Sequence, residues 1–280
     1  MKVLIVAISY NSNNALSKYL DSIEVAMGNN SDIQLKVVIG DHSKSNPFHL
    51  SKEYYLFECE VISQENLGYL GGIAKLLKKE NVLGYDYVII SNVDIELDIN
   101  FFAKLINKKY DCKIAWVAPT IWSIPEQRNR NPFIVKRYPL YKLMLIRFLY
   151  KVHFLHKLYT MTLYKRKRCQ PDVSEYIYAG HGSFIILTKF FFQEIGSIDY
   201  PMFLYGEELY LAELIKRNSL LVYYDSDIKI RTVDHVSTGK MKSKFFYECN
   251  YKSLTYIINR FYKNEIKGKH PQGHLDLKDK

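Results

Sequence analysis

Cysteine is scarce in this chain, with four in 280 residues at positions 59, 112, 169 and 249. That spacing offers no CxxC pair and no dense framework, which excludes a disulfide scaffold and fits a reducing cytoplasm. A leader-type cleavage site is also missing, because the apolar opening from Met1 to Ile8 is short and runs straight into Ser9-Tyr10-Asn11. The opening therefore reads as a buried first strand. Acidic residues are absent from Gln127 to Pro171, where twelve Lys or Arg fall; the rest of the chain, with 27 basic against 29 acidic residues, is almost neutral. One basic block thus accounts for the net charge of +10 and predicts an anionic surface approached by that block alone. What is present excludes whole-chain disorder, since hydrophobic residues make up 48% and charged ones 24%.

The first third alternates apolar strands with helical stretches. The pattern predicts strands at 2–8, 35–40, 59–62 and 86–91, with helices at about 13–27 and 71–80. The runs Val3 to Ile8, Leu35 to Ile39 and Tyr87 to Ile90 are almost continuously apolar, as strands covered on both faces are. This implies an α/β fold around a mostly parallel sheet. Residues 116–139, interrupted by Pro119, Pro125, Pro132 and Pro139, read as loop. Later elements are a strand near 183–187, helices at 189–195 and 207–217, a strand at 220–224 and a closing helix at 244–262. The whole reads as one domain over 1–262, with 127–171 as a basic insertion and 263–280 as a polar tail.

Within the insertion, Tyr141, Leu145, Phe148, Val152, Leu155 and Tyr159 recur in steps of four and three, a helical apolar stripe. Lys142, Arg147, Lys151 and Lys157 interrupt it too often for the ~20 apolar residues that a membrane-spanning helix needs. Two readings stay open. The helix lies on an anionic membrane surface, where each basic residue contributes roughly 1 kcal/mol and Lys165, Arg166, Lys167 and Arg168 add to the effect; or it packs on the protein's own core with a solvated basic face.

Three strand ends are polar: Ser9-Tyr10-Asn11, Gly40-Asp41-His42-Ser43 and Ser91-Asn92-Val93-Asp94. Each alone is an ordinary turn or cap, but open α/β sheets bind ligands at the carboxyl ends of their strands, so together they predict one cleft. Asp94, just beyond a hydrophobic strand, is an oxygen ligand for a hard cation such as Mg²⁺, which takes one or two carboxylates plus substrate phosphates. Glu207 and Glu208 follow Gly206 at a helix start. Acids there also suit the helix dipole.

These blocks resemble, in order and spacing from residue 3 to about 239, the inverting GT-A glycosyltransferases of family 2, in particular the rhamnosyltransferase-like members. Ile8-Ser9-Tyr10-Asn11 is similar to the opening strand and donor turn, Ile39-Gly40-Asp41-His42-Ser43 to the D-N-x-S segment, and Asn66-Leu67-Gly68-Tyr69-Leu70-Gly71-Gly72 to the N-x-G-x-x-G-G turn. The resemblance implies a GT-A fold and a donor-nucleotide site at Ser9, Tyr10, Asn11, Asp41, Asn66, Gly68, Gly72 and Asn92. Ser91-Asn92-Val93-Asp94 resembles the variant D-x-D motif, which makes Asp94 the metal ligand for Mn²⁺ or Mg²⁺. His235, in a segment like the family's H-x-x-x-S/T, is then a second ligand. Tyr178 to Phe184 and Ile198 to Glu208 resemble the acceptor-side strand and the E-D segment, which makes Glu208 the base and Glu207 its neighbour on the acceptor side. His42 stands where Asn is common, Ile73-Ala74 follow Gly72 where amides are common, and Glu208 stands where Asp is usual, so which of the two acids takes the proton stays open.

The implied activity is inverting transfer of a hexosyl or deoxyhexosyl group from a UDP-, dTDP- or GDP-sugar to a glycan or polyprenyl-linked acceptor, in surface-polysaccharide assembly of bacterial type. The expected location is cytoplasmic, peripheral on the inner face of the membrane, with no nucleic acid as partner. Two alternatives are a sugar-nucleotide nucleotidyltransferase and a non-catalytic basic module for membrane or nucleic acid. The first normally carries an early Gly-rich phosphate loop, and the second explains residues 127–171 only.

Overall fold

The computed structural model describes every residue except 29, 31, 51, 53, 153, 157–172, 234–242 and 264–280. The apolar runs form strands where alternation predicts them: β1 (Lys2–Ser9), β2 (Gln34–Asp41), β3 (Glu58–Ser63) and β4 (Tyr87–Asn92), with α1 (Asn13–Met27) and α2 (Tyr69–Leu77) between them. These four strands pair in parallel in the order β3-β2-β1-β4. Odd and even positions of β1 feed different layers. Val3, Ile5 and Ala7 pack with α1, whereas Leu4 and Val6 pack on the opposite face with α2.

Beyond β4 the sheet continues through β9 (Phe184–Thr188), β6 (Ile114–Ser123) and β10 (Leu221–Thr232) to β5 (Ile95–Leu97). Because β9 is antiparallel to both β4 and β6, those two neighbours run the same way, and β10 is parallel to β6. Six strands therefore share one direction. Two short strands lie off the path: β7 (Arg128–Asn129) on β6, and β8 (Glu175–Ile177) on β10.

Two expectations are corrected here. Residues 116–123 are central strand, not loop, even though Pro119 lies among them. Pro119 sits where the β6–β10 ladder shifts register between Asp225 and Lys229, and at a bulge no ladder bond needs the N–H that proline lacks. The strand expected at 220–224 likewise runs on past the bulge to Thr232.

Further helices among the described residues include α3 (Phe101–Ile106), α4 (Leu140–Lys151), α5 (Lys189–Glu194), α6 (Glu207–Arg217) and α7 (Ser243–Phe261). α4 starts directly after Pro139, whose fixed φ suits a helix entry. It lies against α7. Part of the basic block is neutralised internally: Arg128 and Arg130 pair with Glu126, and Arg137 pairs with buried Glu213 at 2.6 Å. Tyr178 also donates to Glu213, and the Arg137 guanidinium lies over the Tyr262 ring.

Candidate functional site

The carboxyl ends of β1 and β2 turn into two loops that brace each other. Ser9 is buried with its Oγ unpartnered among the described residues, and its carbonyl accepts from the His42 amide at 2.8 Å. Asn11 takes a positive φ of 51° while its N–H donates to Ser43 Oγ. Asp41 is buried, and both of its oxygens are engaged: Oδ1 accepts from Ser43 N at 2.9 Å and Oδ2 from Phe48 N at 2.8 Å. Ser9 and Asp41 thus support the floor of the cleft by shaping the loop from 42 to 48.

Above that floor is a cavity of about 330 Å³ lined by Tyr10, Asn11, His42, Lys44, Ser45 and Asn66. It presents an exposed aromatic ring, side-chain amides and a cation. His42 Nε2 lies 3.0 Å from the Gln64 amide nitrogen, and burial holds its pKa below the ordinary value, so the ring is neutral and accepts. Gly72 permits this packing, since a Cβ there would come within 2.9 Å of the His42 ring. Gly68 is more constrained. It has φ +78°, its N–H donates to Asn66 Oδ1, and a Cβ would sit 1.9 Å from the Phe203 carbonyl oxygen.

The acid side is assembled by the antiparallel β4–β9 pair. Ser91 is in register with Phe184, and Asn92 N–H donates to the Ser183 carbonyl at 2.9 Å, so the chain from Asn92 to Asp94 leaves the sheet beside Gly182-Ser183. Asp94 is half-buried, and its carbonyl accepts from Val233 N–H. From the other direction, Tyr205 at φ 68° and Gly206 at φ 82° swing the chain into α6 and deliver Glu207 and Glu208. Glu208 Oε1 accepts from Gly182 N–H at 3.1 Å. A Cβ on Gly182 would strike that same oxygen at 2.7 Å.

Tyr69, the first residue of α2, joins the two sides. Its backbone N–H donates to the Phe203 carbonyl, and its hydroxyl donates to the Gly182 carbonyl at 3.1 Å. Burial first, then the charge of Glu207, with Tyr19, Glu208 and Asp94 adding, pushes the phenol pKa well above its usual value. Asp94 and both glutamates thus lie within electrostatic reach of one hydroxyl.

The two glutamates are not equivalent. Glu207 is 6% exposed, and burial, with Glu208's charge second, raises its pKa to about 8. Glu208 is half-buried; burial raises it too, opposed by backbone N–H donors that include Gly182. Burial and mutual repulsion together make the pair hold a proton above the ordinary carboxylate range.

Of the residues singled out by sequence, Tyr10, Asn11 and Asn66 line the cavity, Gly68 and Gly72 pack behind it, and Asn92 is bonded to Ser183, next to the Gly182 that holds Glu208, with Asp94 two residues further on. His235 and the Lys165 to Arg168 cluster lie outside the described residues. Among the described residues no group of three or more His, Cys, Asp or Glu could hold a metal. Asp94 fits a cation held by one carboxylate and completed by ligand phosphates, not a full protein cage. Lys44, Ser45, Tyr69 and Gly182 were not marked by sequence as site residues. Only the position of Tyr69 directly after Gly68 hints at its role.

No family model and no curated protein sequence matches the chain. Solved structures do. A crystal structure of GalNAc-T7 with UDP, GalNAc and Mn²⁺ superposes with a TM-score of 0.61 at 14% identity, covering 95% of this chain and 50% of that one. TarS of S. aureus superposes with a TM-score of 0.55 at 9% identity, covering 95% of this chain and 45% of that one. The chain thus spans about half the length of the solved structures it matches. At these identities the likeness speaks for architecture, and the architecture is the GT-A fold of those glycosyltransferases.

Proposed function

We propose that the chain is an inverting glycosyltransferase that moves a sugar from a nucleotide-diphosphate donor to an acceptor hydroxyl. The observation that carries this reading is the junction at Gly182-Ser183, where Glu208, Tyr69 and the strand end leading to Asp94 are tied together, with Tyr69 following directly on the loop whose Asn66 lines the cavity. Tyr10 offers a face for a base to stack on, Asn11 and Asn66 offer hydrogen bonds, and Lys44 offers a charge for phosphate. The GT-A architecture, with GalNAc-T7 crystallised with UDP and Mn²⁺, supports the choice of donor and cation.

Asp94, with Asn92 beside it and His235 further along the chain, would hold Mn²⁺ or Mg²⁺. When bound, that cation supplies charge neutralisation for the departing diphosphate. The chain's own residues supply the rest. Glu208, fixed by Gly182 N–H, would take the acceptor's proton. A base on the face of the sugar opposite the leaving group gives inversion. Tyr69, pinned to Gly182, keeps the donor wall and the acid wall in register.

Thermal-shift titration with UDP-, dTDP- and GDP-sugars in Mn²⁺ tests the reading. One donor class should stabilise the protein, and chelation should remove the effect. Glu208→Gln should keep that stabilisation while transfer falls by about 10²- to 10⁴-fold; Asp94→Ala should lose its metal-dependent part. Undiminished transfer by Glu208→Gln removes the base assignment, and no stabilisation by any nucleotide sugar removes the donor site.

A further inference from the structure

The apolar stripe of α4 faces solvent. Tyr141, Met144, Leu145 and Phe148 are 75%, 46%, 53% and 51% exposed, and Phe154, just beyond the end of α4, is 75% exposed. The core is contacted from the other side of the helix, by buried Leu143 and by Ile146 and Tyr150. At about 100° per residue, Lys142 falls on one flank of the exposed stripe and Arg147 and Lys151 on the other. Lone exposed apolar side chains need no explanation, but a continuous stripe of them does.

We infer that this face of α4 docks on an anionic lipid surface, with the helix lying flat and its axis in the plane of the headgroups. Three observations choose the occupant. An apolar stripe with cations on both flanks is the layout of an interfacial helix, in which rings and aliphatic chains enter the acyl boundary and cationic heads remain at the phosphates. From Gln127 to Pro171 the sequence has no carboxylate that would repel an anionic headgroup. No helix among the described residues is long and apolar enough to cross a membrane, so attachment by this face would be peripheral.

The opposite, core-facing side of α4 is linked to the acid side of the cleft. Tyr150, on the core side of α4, meets Phe246 of α7 with ring centroids 5.9 Å apart, and Phe246 meets Tyr205 at 5.2 Å. Tyr205 is followed directly by Gly206, Glu207 and Glu208. Resting on the transferase reading, the inference makes the acceptor one whose reacting hydroxyl is held at the bilayer, as a lipid-linked glycan is.

Sedimentation of the full chain with phosphatidylcholine vesicles, with and without phosphatidylglycerol, tests the docking face. Wild type should sediment with anionic vesicles and release in salt. The double substitution Leu145→Ser with Phe148→Ser should lower binding at least about tenfold, while Arg147→Glu with Lys151→Glu should lower it on anionic vesicles only. Both variants should keep the thermal shift with donor nucleotide, which shows that they fold. Equal sedimentation of wild type and the Leu145/Phe148 variant overturns the inference. So does a concentration-dependent dimer of wild type, seen by light scattering, that the same pair abolishes while neither protein binds vesicles, because that outcome assigns the face to a second copy. A donor-binding failure shared by all three proteins would instead count against the transferase reading and leave the docking result standing.

Discussion

The cavity and the acid side of the cleft differ in how far apart in the chain their parts lie. The cavity takes its lining from the ends of β1 and β2 and the loop before α2, strands that pair in sequence-local order. The acid side depends on Gly182 meeting Glu208 and on Tyr69 reaching across 113 positions to the Gly182 carbonyl. The first is shaped by turn chemistry, such as Asp41 binding two loop amides. The second exists only once β9 has entered beside β4. A site built this way can lose its acid side and keep its cavity, but the reverse is harder, because Tyr69 belongs to the loop-and-helix unit that also carries Asn66.

The seam between the two sides is the most sensitive point. Gly68→Ala forces a left-handed residue and a clash with the Phe203 carbonyl, and it should cost about 3 kcal/mol in urea unfolding and lower both donor binding and transfer. Gly196→Ala is the control. It has φ +83° with nothing within 4 Å of the added Cβ, and should cost only about 1 kcal/mol. Equal losses for the two variants would mean that Gly68 is a backbone requirement and not a seam.

Next in size is Glu207→Gln, which concerns the acid side alone. The folded pKa of Glu207 is raised to about 8, so its stability contribution is complete below the unfolded value of about 4.3 and is lost as pH rises through the folded one. Glutamine removes that loss. The variant should be the more stable near pH 8.5 and should match wild type near pH 4, which melts across the pH range will show. A constant offset at every pH would contradict the buried-proton assignment.

The smallest effect is expected at the cavity's rim. Lys44 is exposed, so Lys44→Ala should weaken donor-nucleotide binding by about 0.5–1 kcal/mol, with the difference shrinking in high salt. A loss independent of salt would replace the phosphate role with a packing one.

The first half of the fold was readable because its strands are continuous apolar runs bounded by polar ends, and because α1 and α2 lie between them. The start of α6 was also readable, since Gly206 precedes a pair of acids. β6 was not, because a proline reads as a breaker until the bulge that accommodates it is seen. The α4 stripe was recognisable as helical from its spacing. Its direction was not, for periodicity reports that a helix has an apolar face without reporting what covers that face. In the cleft, Asp94, Glu208 and the cavity loops follow from strand-end polarity and family resemblance. Tyr69 does not, because its role lies in a contact with a glycine far along the chain, and neither residue carries a chemical signature.

The placement of β9 between β4 and β6 has a consequence for biosynthesis. A ribosome that has released the chain through Asn92 has made β1 to β4, yet the outer edge of β4, with Val88, Ile89 and Ile90, has no neighbour until Phe184 to Thr188 emerge. Throughout that interval an unprotected apolar edge invites pairing with other nascent chains. Yield of the native protein should therefore depend on how quickly translation covers this interval, and on chaperones that shield β4 during it.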